Sequence, residues 1–442
     1  MMWELRPTRG GNPGAPDWWW LPGAAAAAAW LQQRVAPGAR VILRATPSPV
    51  VAALIQGAWA AGICVVPINR RLTDAEAAPL IARAGATLVL DDAWLRGEQL
   101  EFTGTTAPPH WTPDPASLAL LLFTSGTSGP PKAVRLSRRA LSAAVTAAVE
   151  RLDLSPHAVW SVCLPLDHIG GISIILRSLF SGCALHLHER FEQQAIADDV
   201  SLVSGISLVP TMLHRLVQVQ HERAANWPPS LRTLLIGGGP LDRGLAEACA
   251  ALGQAPCQTY GLTECASQVC TLTPEDALAG IGTAGRPLSG LEVRLTPEGI
   301  IQVRGAAVLD GYDADPFPGD ADGWFTTGDL GQWDDSGRLI VLGRSDEVLI
   351  SGGENCAPHD IEALLERHPG IREAGVYGLP DREWGTRICA VFVPTNEPLT
   401  DAEVRAACAH LAPFKRPKEW RWAPTLPRTS LGKIQRQRLR FT

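Results

Sequence analysis

A loop rich in glycine and hydroxyl side chains follows an apolar segment at residues 118–123. It has the sequence Thr124-Ser-Gly-Thr-Ser-Gly-Pro-Pro-Lys132. Glycines let backbone N–H groups approach a phosphate, hydroxyls add hydrogen-bond donors, and Lys132 adds a positive charge. Lysine is rare in this chain, and arginine replaces a lysine ammonium poorly at such a place. The pattern predicts a phosphate-binding loop, with an ordinary surface hairpin as the alternative.

The residues after Lys132 distinguish this loop from the P-loop of nucleoside triphosphatases. A P-loop lysine is followed by Ser or Thr and leads directly into a helix. Here Lys132 is followed by Ala-Val-Arg-Leu, an alternation typical of a strand, and Ser137 is the residue expected to begin a helix. The sequence therefore predicts a strand on each side of the loop.

Further glycine-containing segments carry single carboxylates, hydroxyls or a lysine. They are Gly237-Gly-Gly-Pro240, Tyr260-Gly-Leu-Thr-Glu264, Trp324-Phe-Thr-Thr-Gly-Asp329, Gly343-Arg-Ser-Asp-Glu347, Ser351-Gly-Gly-Glu-Asn355 and Pro427-Arg-Thr-Ser-Leu-Gly-Lys433. In the second segment, Thr263 and Glu264 place a hydroxyl and a carboxylate beside a glycine turn. One carboxylate together with phosphate oxygens is a usual setting for Mg²⁺. Taken alone, Glu264 could equally be a surface acid.

Together, and in this order, the segments resemble the motifs of the adenylate-forming enzymes, which include acyl- and aryl-CoA synthetases, luciferases and peptide-synthetase adenylation domains. The resemblance covers roughly residues 115–440. It implies that the chain uses ATP, Mg²⁺ and CoA. An acid and ATP would form an acyl-adenylate and pyrophosphate, and the CoA thiol would then displace AMP to give a thioester.

The resemblance also implies roles for individual residues. Lys433 would bridge the substrate carboxylate and the α-phosphate, Thr263 would contact the α-phosphate, and Glu264 would hold Mg²⁺. The nucleotide-binding residues that it implies are Thr124, Ser125, Gly126, Thr127, Ser128, Gly129, Lys132, Gly237, Gly238, Gly239, Pro240, Tyr260, Gly261, Asp329 and Arg344. Among these, the tyrosine ring would stack on adenine, the aspartate would accept both ribose hydroxyls, and the arginine would contact ribose or phosphate.

A second group of residues would serve the CoA step. By resemblance, Asp346 is the hinge between a large and a small domain, although it could also be a simple turn acid. The small domain would first present Lys433 and then rotate to present a loop. The residues of that loop are Ser351, Gly352, Gly353 and Glu354.

Residues 165–177 and 263–272 are similar to the o-succinylbenzoate–CoA ligases of menaquinone and phylloquinone synthesis. The residues implied to bind the acid are Gly170, Ser173, Arg177 and Ser267. Gly170, Ser173 and Arg177 would share one helix face, and the apolar neighbours of Arg177 predict a desolvated guanidinium that requires an anion. The alternative is a structural ion pair. His168 would line the acyl pocket or be an ordinary core histidine, and Asp167 stands where relatives usually have an aromatic residue.

These features predict an ATP- and CoA-dependent ligase whose substrate is an aromatic keto-dicarboxylic acid, o-succinylbenzoate. Three alternatives remain at this point. A related ligase could act on another carboxylic acid, and a carrier-protein-loading domain or a non-catalytic nucleotide-binding regulator could carry similar motifs. Intact Lys433, Glu264 and Asp329 argue against the regulator.

Composition and pattern predict the architecture that positions these residues. Strand and helix patterns alternate in the first 91 residues, beginning with an expected strand at residues 41–45, and short strands dominate after about residue 280. We predict an α/β fold with a large domain of mostly parallel sheets covered by helices plus a β-rich subdomain, at residues 1–342. A small α+β domain would follow at residues 343–442.

The overall composition excludes several classes of protein. A net charge of −6 argues against a nucleic-acid partner. The apolar run at residues 24–31 is too short to span a bilayer, and the ten cysteines form no CxxC pair. We therefore expect a soluble cytoplasmic protein with free thiols and no stable membrane anchor; the sequence does not predict the oligomeric state.

Overall fold

The structure is a computed structural model of the chain. It describes residues 2–10, 18–97, 102, 104, 114–124, 131–313, 315–345, 347–351, 354–381, 384–429 and 432–440. Some residues singled out in the sequence lie outside this described part. They are Ser125, Gly126, Thr127, Ser128, Gly129, Asp346, Gly352 and Gly353, and the side chain of Glu354.

The chain alternates between strands and helices. The strands are β1 Met2–Leu5, β2 Thr8–Gly10, β3 Trp18–Trp20, β4 Arg40–Arg44, β5 Cys64–Pro67, β6 Leu88–Asp91, β7 Leu118–Thr124, β8 Lys132–Ser137, β9 Val159–Val162, β10 Ala184–His188, β11 Gly205–Leu208, β12 Thr233–Ile236, β13 Pro256–Leu262, β14 Ser267–Thr271, β15 Arg286–Pro287, β16 Leu291–Leu295, β17 Ile300–Gly305, β18 Gly311–Tyr312, β19 Phe325–Trp333, β20 Leu339–Arg344, β21 Leu349–Ser351, β22 Glu354–Cys356, β23 Ile371–Asp381, β24 Gly385–Pro394 and β25 Glu419–Trp422. The helices are α1 Ala24–Gln32, α2 Pro49–Ala61, α3 Asp74–Ala84, α4 Asp92–Gly97, α5 Arg138–Arg151, α6 Ile169–Ser181, α7 Gln193–Asp199, α8 Pro210–Glu222, α9 Arg243–Ala251, α10 Pro358–Leu365, α11 Asp401–Ala407 and α12 Arg436–Leu439.

Two large sheets form the first part of the chain. One has the strand order β18-β8-β7-β5-β4-β6, and the other has the order β1-β10-β9-β11-β12-β13-β14-β15. The central strands of both sheets are parallel. Helices α1, α2, α5 and α6 contribute buried residues to one shared core with both sheets. This arrangement confirms the predicted α/β class.

Local sequence signals explain where several helices begin. Ser48 caps α2 by accepting a hydrogen bond from the Val51 N–H, and proline occupies the first helical position. Thr73 and Glu76 form the predicted capping box of α3. Ser137 caps α5 directly after β8, as expected from the sequence. These signals are local, so the sequence alone was sufficient to place them.

The remaining strands form two smaller sheets. The antiparallel sheet β16-β17-β19-β20 is the predicted β-rich subdomain. Strands β21 to β25 form the C-terminal sheet, whose apolar residues pack with α10 and α11 in a cluster of their own. The helix predicted at residues 401–411 is shorter than expected: α11 ends at Ala407 and continues as the 3-10 turn Cys408–His410, ahead of Pro413. Proline disfavours helical geometry in the residue before it, here the extended Ala412, so the helix cannot continue past this point.

Among the described residues, no helix has both the length and the apolar character needed to cross a membrane.

A tight hairpin between β13 and β14 carries part of the nucleotide motif. The register of the two strands shifts between Tyr260 and Gly261, and the 3-10 turn Thr263–Cys265 connects them. A Cβ atom added at Gly261 would lie 1.8 Å from the backbone oxygen of Ser267. Only glycine therefore permits this approach of the two strands.

Gly261→Ala should displace the hairpin, because a Cβ and a backbone oxygen cannot share that space. Overpacking of this kind costs about 1–3 kcal/mol, and we expect at least this loss in the free energy of unfolding measured in urea. The matched control is Gly97→Ala at the end of α4, where an added Cβ meets nothing within 4 Å. Equal unfolding midpoints for the two variants would contradict the packing described.

Candidate active site

Strands β7 and β8 hold the two ends of the predicted phosphate loop together. Thr124 pairs with Lys132 in the antiparallel ladder, and its hydroxyl donates to the Lys132 carbonyl at 3.3 Å. The Lys132 side chain is exposed, and its Nζ lies 5.0 Å from the centre of the Tyr312 ring. A cation over an aromatic face is attracted to it, so this contact orients the ammonium group.

Tyr312 also links Lys132 to the carboxylate of Glu264. The Tyr312 hydroxyl donates to Glu264 Oε1 at 3.1 Å, and the Leu309 N–H donates to the Glu264 carbonyl at 2.7 Å. Burial and the neighbouring Glu264 raise the pKa of Tyr312 above its usual range. The tyrosine therefore remains a hydrogen-bond donor, and it fixes one oxygen of the carboxylate while its ring holds the Lys132 ammonium.

A second cluster surrounds Asp329, at the start of the β19–β20 pairing. The Tyr260 hydroxyl donates to Asp329 Oδ2 at 2.7 Å, and Arg344 Nη1 lies 3.6 Å from Oδ1. The Asp329 N–H donates to the hydroxyl of Thr327 at 3.1 Å. Burial, followed by the charge of Asp329, raises the pKa of Tyr260 well above its usual value. The predicted ribose-binding aspartate, its arginine partner and the predicted adenine-contacting tyrosine are thus direct neighbours.

The glycines predicted to form the adenine slot follow the carboxyl end of β12, beside the residues that follow the parallel strand β11. A Cβ added at Gly237 would lie 2.7 Å from the Thr259 side chain. Gly238 has φ +78° and faces Val209, while Gly239 faces Pro210. Ligands bind at the carboxyl ends of strands in open α/β sheets. The absence of side chains at these three positions leaves that edge of the sheet accessible.

The loop that carries Lys433 lies against the same edge. Its turn is closed by two hydrogen bonds between Thr429 and Lys433, with N···O distances of 2.8 and 3.1 Å. Gly432 has φ +80°, and a Cβ added there would lie 2.7 Å from Thr211 Oγ1 in the first turn of α8. Helix α8 follows β11, the strand beside β12. The structure therefore brings the predicted catalytic lysine next to the predicted adenine slot.

Arg177 is buried between α6 and the large sheet. Its side chain is 2% exposed, and its guanidinium carbon lies 4.9 Å from the centre of the Trp160 ring. Nη2 donates to Ser207 Oγ at 3.3 Å and Nε donates to the Ser173 carbonyl at 3.4 Å. Burial lowers the pKa of Arg177 to about 10, so the group still carries its charge at neutral pH.

No carboxylate among the described residues balances that charge. The ion pairs of the described part of the chain do not include Arg177, and its Nη1 is buried without a hydrogen-bond partner there. The structural ion pair considered for the sequence is therefore not found in this part. The Ser173 hydroxyl donates to the Gly170 carbonyl at 3.0 Å, so Gly170, Ser173 and Arg177 do share one face of α6.

His168 is the N-terminal flanking residue of α6, and Asp167 interacts with it. His168 Nε2 lies 3.5 Å from Asp167 Oδ2. Burial lowers the pKa of His168, and the carboxylate of Asp167 opposes this shift. The aspartate that replaces the usual aromatic residue thus serves as a partner for the histidine.

Two predicted residues contribute less directly to this arrangement. Ser267 has φ +110°, and its backbone forms the close contact with Gly261. Ser351 is fully buried at the end of β21 and is paired with Glu354 of β22. The functional roles of these residues, like those of the other site residues named from the sequence, remain predictions.

Four residues of the site were not identified in the sequence: Tyr312, Trp160, Ser207 and Thr211. Tyr312 could have been noticed, because the chain has only 3 tyrosines and this one follows a glycine. Ser207 and Thr211 flank the end of β11, where the rule for open α/β sheets places ligands. Trp160 carries no local signal, because its contact with Arg177 depends on how α6 packs on β9.

The ten cysteines are all buried, and none of them forms a disulfide. Burial raises the pKa to about 12 for Cys64, Cys163, Cys249, Cys257 and Cys270. Cys265 adjoins Glu264 in the site itself, and burial followed by that carboxylate raises its pKa well above the usual value. These thiols stay protonated at neutral pH.

Comparisons with known proteins agree with this arrangement. The model of the AMP-binding enzyme family matches residues 23–313, and that of the AMP-binding enzyme C-terminal domain matches residues 360–433. A 2-succinylbenzoate–CoA ligase of Listeria innocua is 34% identical over 405 residues, covering 88% of this chain and 85% of that protein.

Solved structures give the same result. The o-succinylbenzoate CoA synthetase of Bacillus subtilis in complex with the acyl-adenylate intermediate superposes with a TM-score of 0.85 at 29% identity, covering 94% of this chain and 91% of that one. The same enzyme in complex with ATP and magnesium gives a TM-score of 0.83 at 28% identity, with coverage of 95% and 92%. The likeness in sequence and in fold therefore covers nearly the whole chain. The chain belongs to the AMP-binding family of adenylate-forming enzymes.

Proposed function

We propose that this protein is an AMP-forming acid–thiol ligase that converts o-succinylbenzoate, ATP and CoA into o-succinylbenzoyl-CoA, AMP and pyrophosphate. The relatives named above carry this activity in their names. The observation in this chain that carries the assignment is the buried, charged guanidinium of Arg177, which no carboxylate of the described residues balances. A desolvated charge needs a counter-charge, and the substrate has a second carboxylate to supply it.

Adenylation requires two anions, a carboxylate and a triphosphate, to approach each other. Lys433 would stand between them and offset the charge that gathers at phosphorus, a contribution typically worth about 2.7–4 kcal/mol. Asp329, already oriented by Tyr260 and Arg344, would hold the ribose. Thr263 and the phosphate loop with Lys132 would orient the phosphates.

Glu264 fits the role of magnesium ligand. Tyr312 holds one of its carboxylate oxygens, and one protein carboxylate combined with phosphate oxygens is typical of magnesium sites. The ion would neutralise phosphate charge when bound. The Tyr312 ring also contacts Lys132, so one tyrosine touches both charged side chains.

The CoA step would use a different face of the C-terminal domain. We propose that residues 343–442 form a mobile unit that turns near Asp346 and that residues 351–354 then meet the thiol. The separate apolar cluster of this domain supports such independence. The closeness of Gly432 to Thr211 supports a state in which the Lys433 loop is docked for adenylation.

We assign the enzyme to the cytoplasm. Ten cysteines without a disulfide, all of them in the described part of the chain, favour a reducing compartment.

A ligase for a different carboxylic acid is the principal alternative function. The substrate test on Arg177 below distinguishes this alternative from an o-succinylbenzoate ligase.

Lys433→Ala should slow formation of the acyl-adenylate by about 10²–10³-fold, because it removes one preorganised charge from the transition state. Pyrophosphate release measures this step. Thioester formation from presynthesised acyl-adenylate should change little. Lys415→Ala, another lysine of the same domain, serves as the control and should leave both steps intact. Equal losses in both half-reactions of Lys433→Ala would contradict the proposed role.

Thr211→Phe tests the contact between the two parts of the chain. The larger side chain would fill the space that Gly432 occupies, so the Lys433 loop could not dock. We expect slower adenylation, with ATP affinity and the CoA step close to wild type. Gln218→Phe, at an exposed position of the same helix, is the control. Unchanged adenylation in Thr211→Phe would show that docking at this point is not needed.

Arg177→Leu should reduce kcat/KM for o-succinylbenzoate by about 10–150-fold, the equivalent of losing a charge-assisted hydrogen bond of about 1.5–3 kcal/mol. An analogue without the ring carboxylate should be a poor substrate for wild type and should lose little further activity in the variant. Because the change also removes a buried charge, the urea unfolding midpoint should be equal or higher.

The control for this experiment is Arg138→Leu. Arg138 is also 2% exposed, lies 5.1 Å from the centre of a tryptophan ring, and has its pKa lowered to about 10 by burial. It belongs to α5, on the other sheet, so its loss should not alter the preference for the dicarboxylate. If wild type uses both acids equally well, the substrate assignment is wrong while the ligase chemistry can stand.

A further inference from the structure

A cluster of two histidines and one aspartate lies away from the active site. His186 and His188 belong to β10, and Asp199 ends α7. His186 is paired across the parallel ladder with Ser161, whose neighbour Trp160 faces Arg177. Successive side chains of a strand point to opposite faces. The cluster therefore occupies the face of the large sheet opposite to the buried arginine.

The histidine at the centre of this cluster is not satisfied by the described residues. His186 is 2% exposed, and its Nε2 makes no hydrogen bond with the described part of the chain. Asp199 Oδ2 lies 3.5 Å from that nitrogen, and the ring centres of His186 and His188 are 4.9 Å apart. Buried polar atoms are nearly always paired, and a bound ion can supply the partner where no protein atom does.

The spacing of the three side chains suits a small cation. One nitrogen of each imidazole and one carboxylate oxygen lie within 4.8 Å of one another. Ligand atoms of a tetrahedral zinc ion with bonds of about 2.0–2.1 Å are about 3.3 Å apart, so modest side-chain rotation closes the site. A small space beside the cluster is lined by His188 and Asp199 together with the apolar side chains of Ile196, Val200, Val203 and Ile206.

We propose that His186, His188 and Asp199 form a zinc site that fastens the end of α7 to β10. Imidazole nitrogens select zinc and related transition metals, whereas magnesium prefers oxygen ligands and retains its water. Ser161 lines the adjacent space, and its buried hydroxyl has no hydrogen-bond partner among the described residues. Three protein ligands leave one position of a tetrahedral zinc ion for a further donor. The site is independent of the ligase activity and of Glu264.

The test uses the full-length protein after treatment with a chelator and exchange into metal-free buffer. Titration with ZnCl₂ against a coloured zinc indicator should reveal one tight equivalent, and saturation should raise Tm by a few degrees, because zinc binds only the folded state. Cobalt(II) should give the visible absorption of a four-coordinate site without a thiolate charge-transfer band. A thiolate band would assign the metal to cysteines and overturn the proposal.

Variants locate the binding. His188→Gln and Asp199→Asn should each weaken zinc binding by more than the roughly 10–100-fold that loss of an outer-shell partner costs. His157→Gln, at an exposed position, should bind like wild type. Asp199 is partly exposed, so Asp199→Asn serves if the histidine variant does not fold, as judged by circular dichroism. No tight zinc in wild type, or undiminished binding in folded Asp199→Asn, would overturn the site.

Discussion

Arg177 places a positive charge in the packed interior of the protein. No carboxylate of the described residues balances this charge, and the charge bears on which substrate the protein can accept. Arg177 is fixed by the Trp160 ring, the Ser207 hydroxyl and a helix carbonyl, and none of these supplies negative charge. Desolvating a guanidinium is costly unless an anion compensates it. In the proposed function, the second carboxylate of a dianionic acid would supply the missing negative charge, and Arg177 would thereby select such an acid.

At the proposed nucleotide end of the site, the charged side chains are already oriented by their neighbours. Tyr260 and Arg344 hold Asp329, and Tyr312 holds Glu264 while carrying Lys132 on its ring. Groups oriented in advance need little reorganisation when substrate arrives. In the proposed mechanism, the moving element is the Lys433 loop, whose left-handed Gly432 lies against Thr211 of α8. The groups that hold ATP and the lysine that moves would then belong to different domains.

The sequence predicted most of the elements and the identity of the motifs, because caps, glycine turns and alternating strands are local features. The capping box at Thr73 and the start of α5 after Ser137 are examples. Tertiary contacts could not be predicted from the sequence, because they join segments that are far apart in the chain. Examples are the contact of Trp160 with Arg177 and that of Thr211 with Gly432. The 3-10 continuation of α11 was missed because the sequence pattern continues beyond Ala407, where the α-helix ends. The assignment of roles to Ser125–Gly129 and Asp346 falls outside the described residues.

The protonation of the buried cysteines has a chemical consequence for an enzyme of this proposed activity. An acyl-adenylate is an electrophile, and the thiolate is the form of cysteine that attacks electrophiles. Cys265 sits beside Glu264, yet its thiol is buried and its pKa is raised well above the usual value. The protein's own sulfur is thereby kept from competing with the thiol of CoA. Burial of Cys265 thus leaves no reactive thiolate of its own beside Glu264.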